Sequence, residues 1–442
     1  MNRMIHDIPL HLTPLDLNQL GDMPADRLTK GLPSGTSATS ANVKQFGWNV
    51  LRGDLPFPLL VLKDSVLEHN LREMAEWCDR NGLLLAPHGK TTMCPQIFAR
   101  QVEHRAWAIT VATVKQAEVC LRFGVTRILI ANQIAGIANI KSLAELINDP
   151  SKPEIYCLID SIDGVRQLAA GLERFGAARP VNVLVEWGHN GWRTGVRSLE
   201  QGMEVLAVAS GFPKYLNLAG VEAFEGLASS PDGAAAEGLI VDDFLNGLSN
   251  LGRLLRERMP DGGKPLLSAG GSAYLDRVLK LAQATAGDFH FVVRSGCYAT
   301  HDHLHYQHKQ EGWISRSAAS VDLPEFSPAL ELWGCVQSAP QADRAFLNFG
   351  KRDCSYDMEL PLPLLAVSEG RPIGEARRLH SSRITSLNDQ HAYLDFSSPD
   401  HFKVGELVCC GISHPCTSFD KWRVIPVVND DYDVIDLYHT FF

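Results

Sequence analysis

The sequence predicts an α/β fold, a (β/α)8 TIM-type barrel followed by a second, mostly β C-terminal domain. Three observations predict it. Eight short apolar runs alternate with helical patterns between residues 83 and 296. Buried strands alternating with helices imply a parallel sheet, and eight such units imply a closed barrel, with an open doubly wound sheet as the rival. After about residue 310 the pattern becomes strands separated by Gly, Pro and Asp turns. Finally, 442 residues exceed the ~250 to 300 at which single cores stop growing, so two domains are expected.

The eight runs are LLLA (83–86), AITVA (108–112), RILIA (127–131), IYCLID (155–160), VNVLVEW (181–187), LAGVEA (218–223), PLLSA (265–269) and FHFVVRSG (289–296). The clearest helical pattern precedes the first of them, where Leu67, Leu71, Met74 and Cys78 share one face. Ser65 and Glu68 make a capping box for that helix, and Gly82 supplies its stop. These signals divide the chain into an extension (1–48), a barrel (49–310) and a β domain (311–442). The extension ends in SGTSATSAN (34–42), which reads as a loop or linker.

Apolar residues make up 45% of the chain and charged residues 21%, the balance of a globular protein with a sizeable core. A net charge of −10 with no basic stripe argues against nucleic acid and for a small-molecule partner. No segment has the apolar length of a membrane span, and the first twenty residues lack the pattern of a signal peptide. Ten cysteines without CxxC pairs or regular spacing favour a reducing, cytoplasmic setting.

A barrel's chemistry lies at the C-terminal ends of its strands. Just after the first run comes Pro87-His88-Gly89-Lys90-Thr91. Burial lowers a lysine's affinity for its proton, and a neutral amine can attack an aldehyde to form a Schiff base. Position alone leaves a solvated surface lysine as the alternative. The seventh run ends in Gly270-Gly271-Ser272 and the eighth in Arg294-Ser295-Gly296-Cys297-Tyr298. Glycines there would let backbone N–H groups approach a phosphate, the usual anion site of this fold.

Pro87-His88-x-Lys90-Thr91, the ATVxxAE run ending at Glu118, GxxGxRTGV (188–196), the GGS turn and Arg-x-Gly-x-Tyr (294–298) occur in this order. Their joint order resembles the alanine-racemase-like, fold-type III pyridoxal-phosphate enzymes. Within these it resembles the branch of D-serine dehydratases (deaminases) and D-threonine aldolases, over about residues 56 to 425. The resemblance implies that Lys90 is the Schiff-base lysine, and that Gly270, Gly271, Ser272, Gly296 and Tyr298 form the phosphate cradle. It also implies that Arg193 lies close to the cofactor ring. His88 either packs beside that ring or is a structural histidine.

In this branch a His-x-Cys or His-x-Asp pair in the β domain binds a divalent metal, and His414-Pro415-Cys416 fits that pattern. Imidazole with thiolate suits zinc. A second tract, His301, His303 and His305, would share one face of a strand and is read as solvated or domain-linking. One departure stands out. Where many relatives have Tyr-x-Gly-His after the sixth strand, this chain has Phe224-Glu225-Gly226-Leu227, so the hydrogen bonds those residues make in relatives are absent here.

The expected activity is a dehydratase (ammonia-lyase) acting on a β-hydroxy D-amino acid such as D-serine. Lys90 would take the α-proton and zinc would polarise the β-hydroxyl, giving a 2-oxo acid and ammonia. The nearest alternative is a metal-dependent D-threonine- or 3-hydroxy-D-aspartate-type aldolase. A non-catalytic cofactor carrier would need neither the β domain nor the His-x-Cys pair. A homodimer is expected by resemblance.

Overall fold

The computed structural model describes residues 12–25, 28–231, 233–259, 263–317 and 321–442. Each of the eight apolar runs becomes a strand. After β1 (Leu59–Lys63) come β2 (Leu84–Leu85), β3 (Ile109–Val111), β4 (Arg127–Gln133), β5 (Glu154–Ile159), β6 (Val181–Trp187), β7 (Leu216–Ala223), β8 (Leu266–Ala269) and β9 (His290–Val293). β2 to β9 form one parallel sheet in the order β2-β9-β8-β7-β6-β5-β4-β3. Its two ends meet through Trp107 N–H to Leu85 O (2.7 Å), Thr110 N–H to Pro87 O (2.8 Å) and a parallel bridge between His88 and Thr110. This closure favours the barrel over the open sheet.

The strands read as unbroken apolar runs because both faces are buried. In β4, Leu129 and Ala131 belong to a cluster with Ala86, Leu158, Leu184, Leu266 and Val292, while Ile128 and Ile130 join the larger core. Of the helices, Asp64–Asn81 shows the expected inner face, with Leu67, Leu71, Met74 and Cys78 all buried, and it stops at Gly82 in the left-handed conformation (φ 65°). The capping box does not form. Lys63 is the N-cap and makes no side-chain capping bond; Ser65 instead donates to Asp430 (2.7 Å) and Glu68 pairs with Arg100 (2.7 Å). Ionic partners from other elements take both groups.

The second sheet contains β10 (Leu330–Gln341), β11 (Arg344–Leu347), β12 (Leu362–Val367), β13 (Arg377–Arg378), β14 (Ser382–Leu387), β15 (Ala392–Phe396), β16 (Leu407–Gly411), β17 (Val424–Val428) and β18 (Val434–His439). Its main path is β13-β12-β16-β10-β1-β17-β18, with β11, β14 and β15 continuing from β10. β1, from the segment assigned to the barrel, therefore lies in this sheet, antiparallel to β10 and parallel to β17. Leu59 and Val61 face one core and Leu60 and Leu62 another, so this strand too is buried on both faces.

The extension is packed. Ala25, Leu32, Ala38 and Val43 are buried with Trp333 and Leu437, and Lys30 lies over the Trp422 ring at 3.7 Å while pairing with Asp353. The 34–42 stretch is thus not a linker; its small residues let Ala38 sit fully buried and accept from Ala25 N–H (2.8 Å). Among the described residues no helix is long and apolar enough to cross a membrane.

Candidate active site

Lys90 sits in a short 3-10 turn, Gly89–Thr91, at the C-terminal mouth of the barrel. Sterics make this turn tight. A Cβ on Gly89 would approach the Phe98 ring (2.8 Å) and Ile109 (2.9 Å), and one on Gly296 would overlap the His88 carbonyl. Burial, first, and then the charges of Arg193 and Arg294 push the Lys90 amine below its ordinary pKa, against the opposing pull of Cys416 and Cys297. His88 is held well below the usual imidazole range by burial and by Lys90, Arg294 and Arg193. Its buried Nδ1 has no hydrogen-bond partner among the described residues.

The glycine turn is built differently from expectation. The N–H groups of Gly270 and Gly271 already donate to one buried carboxylate, Glu225, at 3.1 Å and 2.6 Å. Gly271 needs its freedom because φ is +83°, and Gly270 because a Cβ would meet the Phe224 ring at 2.8 Å. Ser272 and Ser295 bring their hydroxyls to 3.0 Å, joining the turns after β8 and β9. The N–H groups of Ser272, Ser295 and Gly296 have no hydrogen-bond partner among the described residues. These N–H groups, with the two hydroxyls, are what fits an anionic group. Tyr298 does not join them: it is buried beneath the Asp64–Asn81 helix and against Phe326 (ring centroids 5.7 Å).

Arg193 lies over the Phe224 ring at 4.4 Å. Leu227, in the place of the relatives' histidine, is 41% exposed. Deeper in the mouth is a cluster outside the sequence assignment. Arg294 is buried, pairs with Glu222, and donates to Ser268 Oγ (2.8 Å) and Ala223 O (2.7 Å). Burial raises the Glu222 carboxyl to about 7 despite this partner. Glu186 accepts from Gln133 (2.5 Å) and Thr194 (2.9 Å). The signal for Arg294 was present in the Arg-x-Gly-x-Tyr motif, and Glu222 marked a strand end with an acid inside an apolar run.

The β domain contributes His414 and Cys416 from the loop after β16. Ser413 Oγ donates to Glu359 O (2.8 Å) and His303 N–H donates to Ile412 O (3.0 Å), tying that loop down. Cys416 Sγ reaches Thr91 Oγ1 (3.3 Å), next to Lys90, and Cys297 Sγ (3.6 Å). The sequence-chosen His-x-Cys pair and lysine are therefore brought together, with Thr91 and Cys297 as unforeseen neighbours. The His414 Nδ1 to Asp357 Oδ2 distance is 2.7 Å, and Thr417 donates to the other oxygen at the same distance. Although burial opposes it, Cys416 and Asp357 push His414 up to about 9, while the Cys297 hydrogen bond and His414 hold the Cys416 thiol well below its usual value. An imidazole oriented through Nδ1 by a carboxylate leaves Nε2 for a metal, so the donor set fits zinc. Among the described residues no group of three or more His, Cys, Asp or Glu forms a metal site.

The histidine tract is not a strand face. His301 has a positive φ (47°), His303 packs on Gly411 and His305 opens a helix (His305–Arg316). Burial lowers both His301 and His303 to about 4.

The barrel with its lysine-bearing mouth and its mostly antiparallel partner sheet has the fold of the alanine-racemase-like proteins. Within that class the comparisons point to the serine-dehydratase and threonine-aldolase branch that the motifs resemble. Residues 329–428 match a family model described as a putative serine dehydratase domain. The chain is 25% identical over 383 residues to a D-threonine aldolase from Arthrobacter sp, covering 84% of this chain and 89% of that one. A D-threonine aldolase structure from Filomicrobium marinum superposes with a TM-score of 0.71 at 22% identity, covering 89% of this chain and 97% of that one. D-threo-3-hydroxyaspartate dehydratase from Delftia sp. HT23 gives 0.68 at 19% identity, covering 89% and 99%. Variants of the same-named dehydratase replace a histidine and a cysteine two positions apart, the cysteine variant being in a metal-free form.

Proposed function

We propose that this protein is a pyridoxal-phosphate- and zinc-dependent lyase, a dehydratase that converts a β-hydroxy D-amino acid such as D-serine to a 2-oxo acid and ammonia. The observation that carries the reading is the approach of His414-Pro415-Cys416 to Thr91, beside Lys90. That pair has the histidine–cysteine spacing altered in the dehydratase variants, and it falls within the residues matching the serine dehydratase model.

Lys90 would hold the cofactor, Ser272, Ser295 and Gly296 its phosphate, and His414 and Cys416 the metal. When bound, pyridoxal phosphate supplies an electron sink for a bond at Cα. A zinc ion supplies Lewis acidity toward the β-hydroxyl. The chain's own groups do the rest. Burial, Arg193 and Arg294 favour the neutral Lys90 amine, which is the form able to take an α-proton. Arg294, fixed by three partners, is a rigid cation in the barrel centre. Asp357 orients His414. Phe224 and the Arg193 side chain stacked on it cover the Gly270 turn. A homodimer, by resemblance, and a cytoplasmic setting, from the cysteine usage, belong to the same reading.

The second reading, cleavage to glycine and an aldehyde, is favoured by the similarity to D-threonine aldolase over most of the chain. Product analysis with D-serine, D-threonine and D-3-hydroxyaspartate separates the two. Ammonia with a 2-oxo acid is the expected outcome; glycine with an aldehyde as the only products would replace the dehydratase by the aldolase.

A further inference from the structure

Cys297, in the turn after β9, is a cysteine for which the proposed reaction has no use, yet it points at the thiol that the reaction needs most. Its Sγ lies 3.6 Å from Cys416 Sγ, and Thr91 Oγ1 lies 3.8 Å from one sulfur and 3.3 Å from the other. The two cysteines belong to different domains, 119 residues apart in sequence. Their loops are held at the contact from both sides. Gly296 packs directly on His88, and Ser355 Oγ accepts from His414 N–H at 3.3 Å. Disulfide sulfurs are separated by about 2.05 Å, so closure from the observed 3.6 Å needs a movement of roughly 1.5 Å.

We infer that Cys297 and Cys416 form an oxidisable thiol pair, a modification site that links the barrel mouth to the β domain and consumes the candidate metal ligand. Cys416 is the half-buried member and Cys297 the buried one, so a small oxidant reaches Cys416 first. With hydrogen peroxide, the Cys416 sulfur attacks one oxygen and the O–O bond breaks. The other oxygen leaves as water, and Cys416 becomes a sulfenic acid. Cys297 sulfur then attacks the Cys416 sulfur, the S–O bond breaks, and that oxygen leaves with the thiol proton as a second water. The two sulfurs lose two electrons and the peroxide gains them. Reduction by a dithiol restores both cysteines. Among the described residues no other two cysteine sulfurs are in hydrogen-bond contact, although Cys354 lies near Cys410 and Cys409 is adjacent to it in sequence.

The further expectation that bound zinc protects the pair rests on the proposed metal role of Cys416. The test uses the full chain, either zinc-loaded or treated with chelator, exposed to hydrogen peroxide and then counted for free thiols after denaturation. The chelated protein is expected to lose two of its ten thiols, to yield one linked peptide joining Cys297 to Cys416, and to regain both thiols with dithiothreitol. Peptide mapping of the wild type decides the outcome whether or not Cys297→Ser folds. In a folded Cys297→Ser protein, the linked peptide is absent and Cys416 proceeds to the sulfinic acid. Cys416 overoxidised in the chelated wild type without any linked peptide would overturn the proposal. A linked peptide forming equally fast with zinc present would uphold the thiol pair and remove Cys416 as a zinc ligand.

Discussion

Charge and burial set the working form of Lys90. Burial is the first cause of its lowered pKa and Arg193 adds to it. A lysine with a lowered pKa is neutral over a wider pH range, so the acid limb of any step needing the free amine lies below that of an ordinary lysine. Removing the Arg193 charge returns part of the proton affinity. Arg193→Gln is therefore expected to move that limb to higher pH, measured as the pH profile of kcat/KM, and an unmoved limb would contradict the electrostatic account. On the metal side, Asp357 orients His414 through Nδ1. Orienting carboxylates of this kind are worth about 10- to 100-fold in metal affinity. Asp357→Asn should weaken zinc retention by that order in competition with a chromophoric chelator, while Thr417→Val, which removes a bond to the same carboxylate, should do less. Residues such as Lys90, His414 and Cys416 were legible because reactive side chains in a recognisable order are visible in one dimension. Asp357 and Cys297 were not, since their contacts join positions 57 and 119 residues apart, the first within the β domain and the second across domains.

The turns after β8 and β9 do two jobs that the glycines alone suggested as one. Glu225 holds the N–H groups of Gly270 and Gly271, while Ser272, Ser295 and Gly296 face the remaining task. Glu225→Gln keeps one acceptor oxygen and is expected to weaken pyridoxal-phosphate affinity, read by absorbance titration, less than Glu225→Ala does. Equal, wild-type affinity in both variants would show that the turn keeps its shape unaided. Gly296→Ala should act through packing, because its Cβ would overlap the His88 carbonyl. Overpacking of this kind costs about 1–3 kcal/mol. Here the strain falls on the lysine turn, so cofactor incorporation should drop further than the melting temperature alone explains. The strands and the Gly82 stop were readable from apolar runs and backbone chemistry. The capping box was not, because Ser65 and Glu68 found stronger partners on distant elements. Nor was the conformation of the histidine tract, whose strand face is broken by a positive φ at His301 that leaves no trace in periodicity, although His303 does link the domains as one reading of the tract expects.

At the scale of the whole molecule, the chain enters the second sheet with β1, passes through the barrel, and returns to that sheet with β10. An apolar pentapeptide carries no mark of which sheet will claim it, which is why β1 was placed with the barrel. The consequence is that barrel and β domain share a continuous core, with Leu60 and Leu62 packed in the same cluster as the barrel helices. That shared core fixes the distance between Lys90 on one side and His414 with Cys416 on the other. The account depends on Lys90 being the residue that carries the cofactor. The most direct measurement is borohydride reduction of the protein reconstituted with pyridoxal phosphate, followed by peptide mapping of the fixed label. The account predicts a single labelled peptide containing Lys90 and no fixed label in Lys90→Ala. Label on a different lysine in the wild type, or undiminished label in the variant, would contradict it.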